Sequence, residues 1–161
     1  MCIRDRTTSY AAHDDGALQR GIGSPIPRFS DNDNGTVTDH LTGLIWLKDA
    51  DCFGFQNWGN ALSFANALAH GSCSLTDASV SGEWRLPNVK ELESLIDFGQ
   101  LFPALPAGHP FVNVQTDSYW SSTSDALSPT TLAWIVYLPA GGAVAIGKEN
   151  LHSVWPVRGG Q

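Results

Sequence analysis

The stretch Gly82-Glu83-Trp84-Arg85-Leu86-Pro87-Asn88-Val89-Lys90-Glu91-Leu92 constrains this chain more than any other. Trp84 and Leu86 alternate with Arg85, as residues of a half-buried strand do. Pro87 has no N–H to give to a ladder and ends it. Asn88 is placed to cap a helix, with Glu91 three residues later in capping-box position. Val89, Leu92, Leu95 and Ile96 form the buried stripe of that helix, and Gly99 ends it. Arg85 is read as the partner of a carboxylate inside the fold, with a ligand contact as the alternative.

Upstream, Asn34-Gly35 is a hairpin signal, because both residues tolerate positive φ. It predicts a short strand over Thr36 to Asp39, a turn over His40 to Gly43 and a buried strand over Leu44 to Leu47. Asp31, Asp33 and Asp39 are hard oxygen donors near a glycine, which raises calcium as a possible cofactor. The EF-hand spacing fails, since Gly35 at the invariant glycine position puts Ser30 first and Leu41 last. A polar hairpin turn is the plainer reading. Asn57 to His70 is a helix, capped by Asn57 and ended by Gly71. Its apolar stripe is Trp58, Ala61, Leu62, Ala65, Leu68 and Ala69. Ser72 to Gly82 is a polar loop holding Cys73.

Downstream, Gln100 to Thr116 carries Pro103, Pro106 and Pro110 and reads as an ordered, irregular loop. Ser118 to Thr123 is a strand entering a hydroxyl-rich loop. Along Leu132 to Leu138, Trp134, Val136 and Leu138 face one way and Ala133, Ile135 and Tyr137 the other. Gly141-Gly142 turns into a strand over Ala143 to Ile146, and Val154 to Arg158 is a closing strand. Two helices amid many short strands make an α+β domain. Trp46, Trp84, Trp120, Trp134 and Trp155 sit in apolar strand-like settings and are expected in the core, with Pro87 as structural punctuation.

The chain has 161 residues, enough for one domain with a sizeable core. Its formal net charge is -7 and no Lys/Arg run occurs, which argues against a nucleic-acid partner. No apolar run approaches membrane-spanning length. Residues 1–24 lack apolar periodicity and read as a disordered leader, with Met1 to Arg6 artefactual, so the domain is expected over 25–161. No secretory signal is visible, so an exported protein would lack its true start here. Cys52 and Cys73 flank the first helix. A bridge between them would close a loop worth about 3 kcal/mol; two buried free thiols are the alternative.

Four motifs carry a resemblance. They are Asp39-His40-Leu41-Thr42-Gly43-Leu44-Ile45-Trp46, Gly82 to Pro87 followed by Glu91-Leu92, Tyr119-Trp120-Ser121-Ser122-Thr123, and Trp155-Pro156-Val157-Arg158-Gly159-Gly160. In this order they resemble the bacterial DUF1566 family, the C-terminal domain of the Legionella collagen-like adhesin, over about Phe29 to Gln161. The resemblance implies a C-type-lectin-like fold, two helices against small antiparallel sheets, in secreted, cell-surface or periplasmic proteins. It places Cys52 and Cys73 where one subgroup carries a cysteine pair, which favours the bridge and an oxidising compartment. His152-Ser153 stands where relatives often have aromatic residues. The characterised adhesin binds sulfated glycans as a trimer, and related domains are variable ligand-binding ends of diversified proteins.

The expected function is therefore a non-catalytic extracellular binding module for a glycan or protein ligand. A trimerising tip domain and a variable binding protein are the alternatives. The loops Ser122 to Thr131 and Gly147 to Ser153 are the expected site, through Thr123, Ser124, Asp125, Lys148, Asn150 and His152, with Tyr137 offering an apolar face. An enzyme is not expected. The five histidines lack ligand spacing, G-x-S-x-G is absent, and Glu91 and Glu93 point to different helix faces.

Overall fold

The computed structural model describes Gly23 and residues 25–159. Apart from Gly23, the leader expected over 1–24 lies outside the described residues. The elements begin with β1 (Phe29–Asp31), β2 (Thr36–Asp39) and β3 (Leu44–Leu47). The turn between β1 and β2 falls where Asn34-Gly35 announces it, but its two positive-φ residues are Asp33 and Gly35, not Asn34. Gly35 has φ 84°, and a Cβ on it would stand 2.6 Å from the Ser74 carbonyl oxygen. Only glycine lets this turn seat against the loop that holds Cys73.

Next come β4 (Phe55–Gln56) and helix α1 (Trp58–Ala67). Asn57 caps α1 by accepting from Asn60 N–H. The helix stops at Ala67, earlier than the sequence predicts, because Leu68 turns extended to bury its side chain. Cys52 and Cys73 form a disulfide with Cα atoms 5.7 Å apart, closing the segment that contains β4 and α1.

Trp84 to Leu86 is not a strand. Arg85 alone pairs, through both its N–H and its carbonyl, with Val157. Glu83 N–H bonds instead to the Val80 carbonyl, and Pro87 has no donor, so the ladder is one residue wide. Helix α2 (Val89–Ser94) follows with the full Asn88–Glu91 capping box. It ends five residues before Gly99. Asp97 N–H leaves the helical path for the Ala104 carbonyl, which docks the proline-rich loop.

The remaining strands are β5 (Ser118–Ser124), β6 (Leu132–Tyr137), β7 (Gly142–Gly147), β8 (His152–Ser153) and β9 (Val157–Gly159). One sheet has the order β1-β2-β3-β9 and the other β4-β8-β5-β6-β7. The fold is α+β. β4 and β8 are too short to show a period. β5 runs on to Ser124 through an irregularity after Trp120, so Thr123 and Ser124 lie on a strand and not in the loop. The closing strand is shorter than predicted: the Pro156 carbonyl still accepts from Leu47 N–H, but Pro156 has no N–H to return, and Val154 and Trp155 before it are buried in the core.

The main core lies between the sheets, and Trp155 is its hub. Its ring meets Trp46 at 5.5 Å, Phe111 at 4.8 Å and Tyr119 at 5.3 Å, and its Nε1 donates to the Leu47 carbonyl at 2.8 Å. Val136 and Leu138 join this core. On the other face of β6, Ala133 and Ile135 pack with Trp120, Leu86 and the buried side of α1, Ala61 and Ala65. Trp46, Trp84, Trp120 and Trp155 are buried as expected. Trp134 is only half-buried and belongs to neither cluster. It stands two residues before Val136 on the same face of β6, paired with the small Ala145.

Candidate functional site

Two of the connections that the strands leave are tied together by one side chain. Lys148 follows β7, and its Nζ donates to Ser124 Oγ at 2.9 Å and to the Pro129 carbonyl at 2.7 Å. The same ammonium lies 3.7 Å from the centre of the Trp58 ring. Lys148 N–H donates to the Thr131 carbonyl, and its own carbonyl accepts from Trp58 N–H. Trp58 Nε1 in turn donates to the Ser121 carbonyl at 2.9 Å. The β5–β6 connection, the β7–β8 connection and the start of α1 are thus fixed to one another.

Each connection is also braced from within. Asp125 Oδ1 accepts from Leu127 N–H and Ser128 N–H, which closes a tight turn. Asn150 Nδ2 donates back to the Gly147 carbonyl. Thr123 Oγ1 accepts from Val89 N–H at 3.1 Å and so anchors the end of β5 to the start of α2. What this leaves facing solvent is chiefly Leu127, 93% exposed, Thr130, Thr131, Glu149, Asn150 and Leu151, 60% exposed.

The structure therefore brings Thr123, Ser124, Asp125, Lys148 and Asn150 into one region, but mostly as its internal bracing. Tyr137 does not join them. It is exposed at the far end of β6 from Leu132, about 16 Å away at strand rise. His152 is also turned away. It lies on β8 with its ring perpendicular to Trp120 at 4.9 Å and its Nε2 buried without a partner. Burial holds its pKa below the ordinary histidine value, against the pull of Asp117.

Arg85 pairs with a carboxylate of the fold, its own side chain 42% exposed. Its Nη1 and Nη2 donate to the two Glu91 carboxylate oxygens at 2.8 and 2.7 Å, while Glu91 also accepts from Asn88 N–H. Burial alone would raise the Glu91 carboxyl; Arg85 and the Asn88 N–H outweigh it and hold it below its ordinary range. Pro87 is buried, and its carbonyl accepts from Ser122 N–H, tying this turn to β5.

Asp31, Asp33 and Asp39 are not brought together around a cavity. Asp39 is buried and accepts from Arg28 through Nε and Nη2, from Leu41 N–H and from Thr42 Oγ1. Asp31 pairs with Lys48 and accepts from Asp33 N–H, and Asp33 itself faces solvent. Among the described residues no group of three His, Cys, Asp or Glu side chains is arranged to hold a metal. These aspartates serve the hairpin and its ion pairs.

Sequence reasoning missed the roles of Trp58, Ser121 and Pro129 in the tie around Lys148. It gave Trp58 to a helix stripe; its position at the first turn, beside a cap, was the available signal. Leu127 and Leu151 carried no signal, because an isolated leucine in a polar loop fits either a buried or an exposed place.

The fold and its braced connections define a small, disulfide-stapled α+β domain with two hydrogen-bonded, solvent-facing loops. The chain belongs to the Lcl C-terminal domain family, whose profile matches residues 35–158. No curated protein matches it. No helix of the described residues is long and apolar enough to cross a membrane.

Proposed function

We propose that this domain is a non-catalytic binding module of an oxidising, extracytoplasmic compartment, C-type-lectin-like in fold. It presents the β5–β6 and β7–β8 connections to a protein ligand. The observation that carries this reading is the single Lys148 side chain holding both connections on Trp58, with Leu127 and Leu151 left outside. A surface already held in place spends little ordering entropy when a partner docks. Exposed leucines favour an apolar patch on a protein. Neither loop, Asp125 to Thr131 or Gly147 to Leu151, has an aromatic ring to lie on a sugar face. The Cys52–Cys73 disulfide supports the compartment.

The test is binding to an array of purified extracellular proteins and to a glycan array, each with and without chelator. The Leu127→Asp/Leu151→Asp double variant is run beside the parent, with melting curves to check that it folds. The expected result is a chelator-insensitive protein signal that the variant loses. A glycan signal lost in the same variant would keep the site and replace the ligand class. A signal that the folded variant retains, or none on either array, refutes the site.

A further inference from the structure

The five-stranded sheet ends on β7, Gly142-Ala143-Val144-Ala145-Ile146-Gly147, which pairs with β6 over its whole length in unbroken register. Lys148 N–H bonds to the Thr131 carbonyl, so the alternation of an antiparallel ladder turns the N–H and C=O of Val144 and Ile146 toward β6. The same groups of Ala143 and Ala145 face the open edge. Among the described residues nothing bonds to them. Natural edges are usually blunted by charge, proline, a bulge or brevity. The other outer strands are only two or three residues long. β7 has six residues, no charge, no proline and no bulge.

We infer that β7 is a self-pairing edge, which joins a second copy of this chain through an antiparallel β7–β7 contact about a two-fold axis. With the axis at Val144, Ala143 of each copy stands opposite Ala145 of the other, and the two residues exchange both backbone bonds. Val144, 53% exposed, meets its own counterpart on the face it shares with Tyr137. The charges also permit this register. The nearest charged side chains, Lys148 and Glu149, fall opposite Ala140 and Pro139 of the other copy, so no like charges meet although each chain carries -7. One strand pair buries less than about 1,200 Å², so the dimer is transient and concentration-dependent. This inference does not rest on the loop site, which lies on connections and not on this edge.

Sedimentation velocity on the full chain, from about 1 to about 500 µM, tests it. The expected result is a monomer–dimer equilibrium. Ala145→Pro removes an outward N–H and leaves the β6 ladder intact, and it should raise the dimer Kd by about tenfold or more while the melting temperature holds. Should that variant fail to fold, Val144→Lys gives the second reading, since it sets two ammonium groups face to face across the axis. A parent that stays monomeric over the whole range overturns the inference. So does a trimer, or a dimer that Val144→Lys leaves unchanged.

Discussion

Replacing Lys148 by Met keeps an unbranched stem over Trp58 and removes the ammonium. Two charge-assisted hydrogen bonds are lost, to Ser124 Oγ and the Pro129 carbonyl, with the cation–π contact at 3.7 Å. Charge-assisted bonds contribute about 1.5–3 kcal/mol each when their acceptors have no other partner. Here the Pro129 carbonyl is at an exposed position and re-solvates, which discounts that bond heavily. The half-exposed cation–π contact adds about 0.5–1 kcal/mol. The expected cost is about 2 kcal/mol, or a melting temperature lower by about 4–8 °C for a chain of this size. Hydrogen exchange should localise the loss. The Asp125 and Leu132 amides, which bond to the Leu132 and Ser128 carbonyls, should speed up more than amides of the first sheet. Unchanged exchange across 125–132 together with an unchanged melting temperature would refute the view that Lys148 holds the two connections.

Trp84→Ala should destabilise by about 3–5 kcal/mol in urea unfolding, since Trp84 is buried and its Nε1 donates to Ser79 Oγ at 3.0 Å. A midpoint within error of the parent would show that the surroundings close over the gap. Gly35→Ala should cost at least about 2 kcal/mol, because positive φ and the Ser74 carbonyl both oppose a Cβ; a neutral melting curve would count against the seated turn. Burial depresses His109 and His152 in the folded state, so the unfolded chain takes up their protons first. Their contribution is present above about pH 6.5 and is lost as pH falls through their lowered folded values. Urea midpoints should therefore drop between about pH 7 and pH 5, and His152→Gln should flatten the drop. An equal drop in that variant would assign the effect to other groups.

Local chemistry made much of this protein legible in its sequence. Asn34-Gly35 marked the hairpin because Gly35 takes positive φ and Asn34 Oδ1 accepts from Thr36 N–H, although the other left-handed residue is Asp33 and not Asn34, and the Asn88–Glu91 box gave the start of α2 because both partners lie three residues apart. The Arg85–Glu91 pair is legible for the same reason, since the carboxylate is six residues away. Element ends failed where a distant segment competed for the backbone. Ala104 drew Asp97 out of the helical path, and Val157 gave Arg85 a partner that Trp84 and Leu86 lack.

Periodicity named the apolar residues but could not say which of them would meet. Five tryptophans looked alike along the chain. Only packing made Trp155 the hub, because its ring touches residues of β3, β5 and the proline-rich loop that lie far apart in sequence. Packing also left Trp134 half outside. The candidate loops were visible from their polar composition, yet their joining was not. A lysine stem reaches whatever acceptor lies near its tip, and Ser124, Pro129 and Trp58 arrive there only when the second sheet and α1 have come together. Short-range stereochemistry therefore set the turns and caps, and long-range contact decided the core's centre and the shape of the exposed surface.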